Sequence, residues 1–190
     1  MTDDPDFEIV ERVRNGETDA FEELVRKHGR RVYRSLLGIV GSREEAEDAL
    51  QDAFFKAFQH LPNFEGRSRF STWLVRIAIN TGLQRVRSRK EFDRLDEDDE
   101  EFRPRNIQAW TETPEDFYSR EELRNLVEKE VMKLPLKYRV ALMLRDLEEL
   151  STEEAASALG LSIPGLKARV LRGRLMLRES MVQYFSKANG

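Results

Sequence analysis

No other feature limits the possible folds of this 190-residue chain as much as the acidic run from Glu91 to Glu101. The run contains eight carboxylates and a single cation, Arg94. Like charges at this density cannot bury enough apolar surface to offset the entropy lost when the chain is ordered. The regular spacing of apolar residues also stops here and resumes only at Thr113. We therefore expect two separately folded parts joined by an acidic, flexible linker.

The first part of the chain shows apolar residues at three- and four-residue steps, the spacing of amphipathic helices. One such helix contains Phe21, Leu24 and Val32, and Gly41 and Ser42 end it. Ser42 and Glu45 have the spacing of a capping box, which predicts that a second helix begins there. The buried stripe predicted for this second helix consists of Ala46, Leu50, Ala53, Phe54, Ala57 and Phe58.

A loop is predicted from Phe64 to Phe70, followed by a third helix that begins near Ser71. Gly82 lies inside this helix and should weaken it by about 1 kcal/mol relative to alanine. Trp73 and Ile77 fall on its apolar side and are assigned to the core.

The second part of the chain also has a helical pattern. Thr113 and Pro114 have the sequence of a helix start, with threonine as the N-cap and proline in the first turn. A later helix should carry an apolar face made of Tyr138, Ala141, Leu142, Leu144 and Leu147. No strand-like alternation of any length is present. The predicted fold class is all-α, with small helical domains at 1–92 and 114–190 and the linker at 93–113.

Basic residues are concentrated just before the acidic run, although the whole chain has a formal net charge of -4. From Gly66 to Lys90 there are seven Lys and Arg residues and no Asp or Glu. Phe64, Phe70 and Trp73 are interspersed with the first of these cations. Cations that follow a phosphate backbone, next to aromatic faces that stack on bases, are typical of single-stranded nucleic acid binding. The segment therefore predicts a site for a polyanion.

A helix-turn-helix is predicted near the C-terminus. Ser151 and Glu154 form a capping box at the start of its first helix, and Gly160 has the position of a C-terminal glycine. Ser162 is placed to cap a second helix, which is basic and follows a stretch free of acids from Ala155 onward. In this motif the second helix enters the major groove of DNA.

Several classes of protein are excluded by what the sequence lacks. It has no cysteine, and its two histidines, His28 and His60, are isolated. No glycine-rich phosphate loop or nucleophile elbow is present, so we expect no enzyme activity, no metal site and no cofactor. The N-terminus has no apolar signal segment and no apolar run is long enough to cross a membrane. The predicted localisation is cytoplasmic, without membrane insertion.

Three segments resemble a known family, the extracytoplasmic-function (ECF) group of bacterial sigma-70 factors. EEAEDALQDAFFKAF at 44–58 resembles the polymerase-binding helix of that family. FEGRSRFSTWLVRIAIN at 64–80 resembles its promoter-melting segment, and LSTEEAASALGLSIPGLKARVLRGRL at 150–175 resembles its upstream-promoter reader. The three segments occur in the order that the family has.

The resemblance implies a transcription initiation factor, with region 2 of the family at 1–92 and region 4 at 114–190. Such a factor binds core RNA polymerase and directs it to specific promoters, including those of stress responses. It melts the −10 element, holds the non-template strand, and reads the duplex −35 element. An anti-sigma factor is expected as a further partner.

The resemblance also implies three groups of site residues. Residues at the positions that bind core polymerase are Asp48, Gln51, Asp52 and Phe54. Residues at the positions that contact the −10 element are Phe64, Arg67, Ser68, Arg69, Phe70, Ser71, Arg76, Asn80, Gln84 and Arg87. Residues at the positions that contact the −35 element are Lys167, Ala168, Arg169, Leu171, Arg172 and Arg174. Gly173, next to the last of these, should loosen the end of the recognition helix.

Two other functions fit parts of the sequence. A sigma-like decoy would bind an anti-sigma factor without engaging promoters, but the basic segment and basic recognition helix argue against it. A stand-alone repressor would use only the helix-turn-helix, which leaves the aromatic and basic segment unexplained.

Overall fold

The computed structural model describes residues 4–87, 120–148 and 150–188. Every regular element in these ranges is helical, so the predicted all-α fold class is confirmed. The chain divides into two compact units, Met1–Arg94 and Leu95–Gly190. The predicted linker and the predicted helix start at Thr113 lie outside the described residues.

Within residues 4–87, the described part of the first unit, there are four α-helices and two single turns of 3₁₀ helix. The helices are α1 (Phe7–Arg14), α2 (Phe21–Val40), α3 (Arg43–His60) and α4 (Phe70–Arg87), and the 3₁₀ turns are Thr18–Ala20 and Leu61–Asn63. Helices α2, α3 and α4 pack against one another in pairs. Leu24, Leu36 and Leu74 are fully buried among them and form the centre of the core. The predicted order of three long helices in this part of the chain is confirmed.

Gly82 allows two of these helices to approach closely. A Cβ atom at this position would lie 3.1 Å from Cδ2 of Leu36 and 3.2 Å from Cγ2 of Ile39. Helix α4 continues through Gly82 as far as Arg87. The sequence identified the low helix propensity of glycine but not its part in the packing of α4 on α2.

The start and the buried face of α3 agree with the prediction only in part. Ser42 is the N-cap residue, but its side chain makes no capping hydrogen bond, so the predicted capping box is wrong. One carboxylate oxygen of Glu45 is buried. Ala46, Ala53, Phe54 and Ala57 are buried as predicted, whereas Phe58 is exposed and Leu50 only half-buried.

The second unit contains α5 (Arg120–Lys133), α6 (Leu136–Leu142), a π-helical turn (Met143–Leu147), α7 (Thr152–Leu159) and α8 (Ile163–Ala188). Val131, Leu134, Leu142 and Met143 form a buried cluster. Met176 and Leu177 of α8 pack on this cluster, which therefore joins α8 to α5 and α6.

The π-helical turn changes which residues face the core. The Glu148 N–H donates to the Met143 carbonyl oxygen, five residues back, at 2.9 Å. This longer step shifts the helical register. Leu147 is therefore 52 % exposed, and its predicted place on the buried face is wrong. Leu144, earlier in the same turn, is fully buried as predicted.

The helix-turn-helix is confirmed in detail. Ser151 accepts a hydrogen bond from the Glu154 N–H, and the Glu154 carboxylate accepts one from the Ser151 N–H. Gly160 ends α7 in the left-handed region, with φ of 65°. The Ser162 hydroxyl accepts a hydrogen bond from the Gly165 N–H and caps α8.

Gly173 does not end or interrupt the recognition helix, which runs for 26 residues to Ala188. A Cβ atom at Gly173 would lie 3.2 Å from the carbonyl oxygen of Tyr138 in α6. The glycine lies where α8 crosses α6 and lets the two backbones come close, and the expectation that it loosens the end of the helix stays a prediction.

Candidate nucleic-acid interfaces

The loop before α4 and one stripe of α4 form the first candidate interface. Arg67 and Arg69 of the loop are exposed, and Ser68 and Ser71 are half-buried. On the helix, the predicted contact residues occur at steps of three and four and therefore share a face: Arg76, Asn80, Gln84 and Arg87. Asn80, Gln84 and Arg87 are exposed and Arg76 is half-buried. We call this loop and stripe the α4 surface.

Phe64 and Phe70 do not belong to the exposed part of this surface. Phe64 is 7 % exposed and Phe70 is fully buried. Their rings pack edge-to-face at 6.1 Å between centroids, and Trp73 lies 5.0 Å from Phe64 and 5.7 Å from Phe70. The prediction that these two phenylalanines offer faces to bases is not supported, because burial assigns both rings to the core. Trp73 is half-buried at the edge of the cluster.

A second surface lies on α3. Asp48, Gln51 and Asp52 are exposed and share one face of the helix. The Arg85 guanidinium of α4 lies 2.5 Å from the Asp52 carboxylate and 3.7 Å from that of Asp48. This ion pair joins the acidic face of α3 to the far end of α4.

Phe54, predicted on the same face, is 6 % exposed and packs against Phe21 at 6.2 Å between ring centroids. Its neighbour Phe55 is 62 % exposed and lies three residues beyond Asp52. The exposed face of α3 therefore continues through Phe55. Positions 48, 51, 52 and 55 share one face of a helix, so the spacing in the sequence was enough to place Phe55 on this face.

The recognition helix α8 presents the third surface. Lys167, Ala168, Leu171 and Arg174 are exposed, and they recur at steps that keep them on one side of α8. Leu166 and Val170 on the opposite side are buried. Arg169 is half-buried between the two sides. We call the exposed side the α8 surface.

Two of the predicted arginines on α8 have partners within the second unit. The guanidinium of Arg174 makes two hydrogen bonds with the Asp146 carboxylate, at 2.9 Å and 2.6 Å. These bonds raise the pKa of Arg174 above its ordinary value. Arg172 donates to the Tyr138 hydroxyl at 3.4 Å. Lys167, in contrast, is exposed near the start of the helix.

Two further features are absent from the ranges that the structure describes. These residues contain no group of histidine and carboxylate side chains able to hold a metal ion. No helix among them is long and apolar enough to cross a membrane.

The two units define a class of protein. One unit is a helix-turn-helix domain with an exposed recognition helix, and the other carries cations and amides along a separate helix. A helix-turn-helix unit beside a unit with a basic helix is typical of DNA-binding proteins.

Comparison with known proteins specifies the family. The family described as Sigma-70 region 2 matches residues 24–92, and the family described as Sigma-70, region 4 matches residues 124–177. The RNA polymerase sigma-H factor of Pseudomonas aeruginosa is 36 % identical over 178 residues, which cover 92 % of each chain. The ECF RNA polymerase sigma factor SigW of Bacillus subtilis is 33 % identical over 178 residues, covering 90 % of this chain and 94 % of that one.

Solved structures agree with this assignment. CnrH, in a complex with the cytosolic domain of CnrY, matches with a TM-score of 0.63 and 25 % identity, covering 95 % of this chain and 99 % of that one. RpoE of Bartonella quintana, in a complex with the anti-sigma factor NepR, matches with a TM-score of 0.59 and 25 % identity, covering 84 % and 94 %. The chain belongs to the ECF group of the sigma-70 family. It is a transcription initiation factor that gives RNA polymerase its promoter specificity.

Proposed function

We propose that the two units divide promoter recognition between melted and duplex DNA. The α4 surface binds the non-template strand of the melted −10 element, and the α8 surface enters the major groove at the −35 element. The geometry of the exposed groups supports this division. Amides and cations spaced along α4 suit unpaired bases and their phosphates, and a capped helix in a helix-turn-helix suits duplex DNA.

On the α4 surface, Arg67 and Arg69 contact phosphates, and Asn80 and Gln84 contact base edges. The side-chain amide of either residue offers both a donor and an acceptor, as base edges require. Phe64 and Phe70 support the loop from beneath by packing on each other and on Trp73. A base flipped out of the strand then contacts the loop and the residues at its edge, and not the rings of Phe64 and Phe70.

The exposed face of α3 is the proposed contact for core RNA polymerase. Asp48, Gln51 and Asp52 form its polar part and Phe55 its apolar part. An exposed phenylalanine next to acids has the composition of an interface anchor with a polar rim. Phe54 contributes by holding α3 on α2 and not by direct contact.

Regulation by an anti-sigma factor is the remaining part of the proposal. Two structural relatives, CnrH and RpoE, were solved with partner proteins, the cytosolic domain of CnrY and the anti-sigma factor NepR. We infer that a partner of that kind holds this factor inactive in the cytoplasm. The factor itself has no catalytic step to perform, since the polymerase makes the RNA.

The direct experiment adds the purified protein to bacterial core RNA polymerase on genomic DNA and maps the 5′ ends of the transcripts. We expect discrete starts preceded by a shared two-part motif. Polymerase binding without starts would favour a decoy. Absence of both binding and starts would contradict the proposal, and a repressor using the helix-turn-helix would replace it.

A further inference from the structure

The segment from Asp4 to Arg14 contacts both ends of the loop that carries the exposed cations of the α4 surface. The segment comprises α1 and the residues just before it, and it precedes the region 2 match, which begins at residue 24. The loop comprises residues 65–69, between the 3₁₀ turn and α4. We call the segment the N-terminal clamp.

Asp4 holds the end of the loop that leads into α4. One of its carboxylate oxygens accepts a hydrogen bond of 2.7 Å from the N–H of Phe70, the first residue of α4. The other accepts one of 3.0 Å from the N–H of Asp6. The first amides of a helix have no partner within the helix. Asp4 therefore caps α4 from a position 66 residues earlier in the chain.

Arg14 holds the opposite end of the loop. Its guanidinium donates to the carbonyl oxygen of Pro62 at 3.1 Å and to that of Phe64 at 2.9 Å. The same side chain also forms an ion pair with Glu11, one turn earlier in α1, at 2.9 Å. The two backbone carbonyls just before the loop are thus bound by one charged side chain.

The clamp is itself fixed to α2 through Asp6. This carboxylate is 1 % exposed, with Lys27 Nζ at 2.5 Å and His28 Nε2 at 2.8 Å. The His28 ring lies 5.7 Å from the ring of Phe70. A buried carboxylate with two such partners is a rigid attachment, because releasing it would leave a charge without compensation.

We propose that Asp4 and Arg14 are positioning residues for the −10 element. By fixing both ends of residues 65–69, they order the loop before DNA binds. The entropy cost of ordering the loop therefore does not weaken the affinity for DNA. The inference rests on the proposed function, because it takes the α4 surface to be the site of the melted strand. Neither residue needs to touch DNA.

The test uses the full-length variants Asp4→Ala and Arg14→Ala, free in solution for titration with core polymerase and assembled into holoenzyme for the two DNA probes. Three affinities are measured at a temperature well below unfolding. The probes are core polymerase, duplex −35 DNA, and a single-stranded oligonucleotide with the −10 sequence of a mapped promoter. We expect each variant to bind the single strand about tenfold more weakly, the factor for ordering roughly one more residue on binding. Affinities for core and for duplex should stay unchanged.

Two control variants match these changes. Glu8→Ala removes an exposed acid from the first turn of α1, and Glu11→Ala removes the ion pair of Arg14 but leaves its bonds to the loop. Both should bind the single strand as the wild type does. Of the three variants that remove an acid, Asp4→Ala, Glu8→Ala and Glu11→Ala, only Asp4→Ala should show faster hydrogen exchange at the Phe70 amide.

The outcomes separate the two proposals. Wild-type affinity for the single strand in both Asp4→Ala and Arg14→Ala would overturn the clamp. Equal losses for all three probes would also overturn it, because they indicate general destabilisation. If wild-type holoenzyme starts transcription at the promoter but does not select the −10 strand, the placement of the melted strand on α4 fails instead.

Discussion

Phe54 and Phe55 are adjacent in α3 but lie in opposite environments. The first is buried against Phe21, and the second is 62 % exposed beside Asp52. The family resemblance placed Phe54 at the polymerase contact, whereas the helical pattern also placed it in the core. The structure supports the core assignment and leaves Phe55 available for a partner.

Substitution of these two residues should have different effects. Phe55→Ala should weaken binding to core polymerase by on the order of 1–3 kcal/mol, because it removes an exposed aromatic anchor. Its unfolding temperature should not change. Phe54→Ala should cost about 3–5 kcal/mol of folding stability through the cavity that it leaves. Binding titrations with labelled core and thermal unfolding distinguish the two. Loss of polymerase affinity in a well-folded Phe54→Ala protein, with none in Phe55→Ala, would reverse the assignment.

Leu171 is 58 % exposed in the middle of the α8 surface, beside the methyl group of Ala168. Apolar side chains in the major groove contact the methyl group of thymine. We therefore expect that replacing one particular thymine of the −35 element with deoxyuridine weakens binding about fourfold, since burying a methyl is worth about 0.8 kcal/mol.

The matched control is Leu171→Ala, which should bind the thymine and deoxyuridine duplexes almost equally. Fluorescence anisotropy with duplexes substituted one thymine at a time measures both. If every substituted duplex binds the wild type with unchanged affinity, Leu171 does not read a methyl group.

At the scale of whole elements, Gly173 determines how closely α8 approaches α6. Alanine normally stabilises a helix interior by about 1 kcal/mol relative to glycine. At Gly173 the added Cβ would lie 3.2 Å from a backbone oxygen, which cannot move aside as a side chain can. Gly173→Ala should therefore destabilise the second unit by on the order of 1–3 kcal/mol.

Gly29→Ala provides the comparison for this prediction. Apart from its chain neighbours and the nearby backbone of its own helix, no heavy atom lies within 4 Å of a Cβ built at Gly29, in the middle of α2. This variant should be as stable as the wild type or more so, by up to about 1 kcal/mol. Urea unfolding of both variants measures the sign of each change in the free energy of unfolding. A stabilising Gly173→Ala change would mean that the α6–α8 crossing tolerates a methyl group.

Helices α5 and α8 are joined by a buried carboxylate. Burial of Glu130 alone would raise its pKa, but hydrogen bonds from Lys133, Ser180 and Tyr184 outweigh it and lower the pKa to about 2. The folded protein therefore holds the charged form more strongly than the unfolded chain, whose ordinary value is 4.5. This contribution to stability is complete above pH 4.5 and is lost as the pH falls toward 2.

Glu130→Gln should accordingly lower stability at pH 7 and flatten its dependence on pH between about 5 and 2. Glu179→Gln, a change of the same charge on the exposed side of α8, should leave the wild-type profile intact. Chemical unfolding at a series of pH values compares the three proteins. Parallel profiles for Glu130→Gln and the wild type would show that this carboxylate is not strongly coupled to folding.

Features that depend on residues close together in the sequence were predicted, whereas features that depend on distant residues were not. The capping box at Ser151 and the C-terminal glycine at Gly160 involve residues within a few positions, and both are confirmed. Two of the three partners of Glu130, Ser180 and Tyr184, lie 50 and 54 residues away, and Phe70, whose N–H donates to Asp4, lies 66 residues away. No periodicity or motif signals such contacts. The register shift at Met143–Leu147 likewise has no signal in the apolar pattern, and it made the assignment of Leu147 wrong.

At the scale of the whole molecule, two units with separate cores were predicted because the acidic run interrupts the apolar pattern. The family and the promoter function followed from three motifs in order, and the comparisons confirm them. The candidate site was predicted less completely. The basic segment before the acidic run and the basic second helix of the helix-turn-helix were identified from composition and spacing, and the individual contact residues followed from the family resemblance, but neither shows whether an aromatic ring faces solvent. Phe64 and Phe70 were therefore assigned to contact, and the clamp at Asp4 and Arg14 was missed.

The proposed function assigns melted DNA to one unit and duplex DNA to the other. Holoenzymes carrying Asn80→Ala or Lys167→Ala test this division, each titrated with a single-stranded −10 oligonucleotide and with a −35 duplex. Lys167 is chosen because Arg172 and Arg174 also have partners within the protein. We expect that Asn80→Ala weakens only single-strand binding, whereas Lys167→Ala weakens only duplex binding, each by about 1–3 kcal/mol. Equal losses on both probes by either variant would contradict the division of labour between the two units.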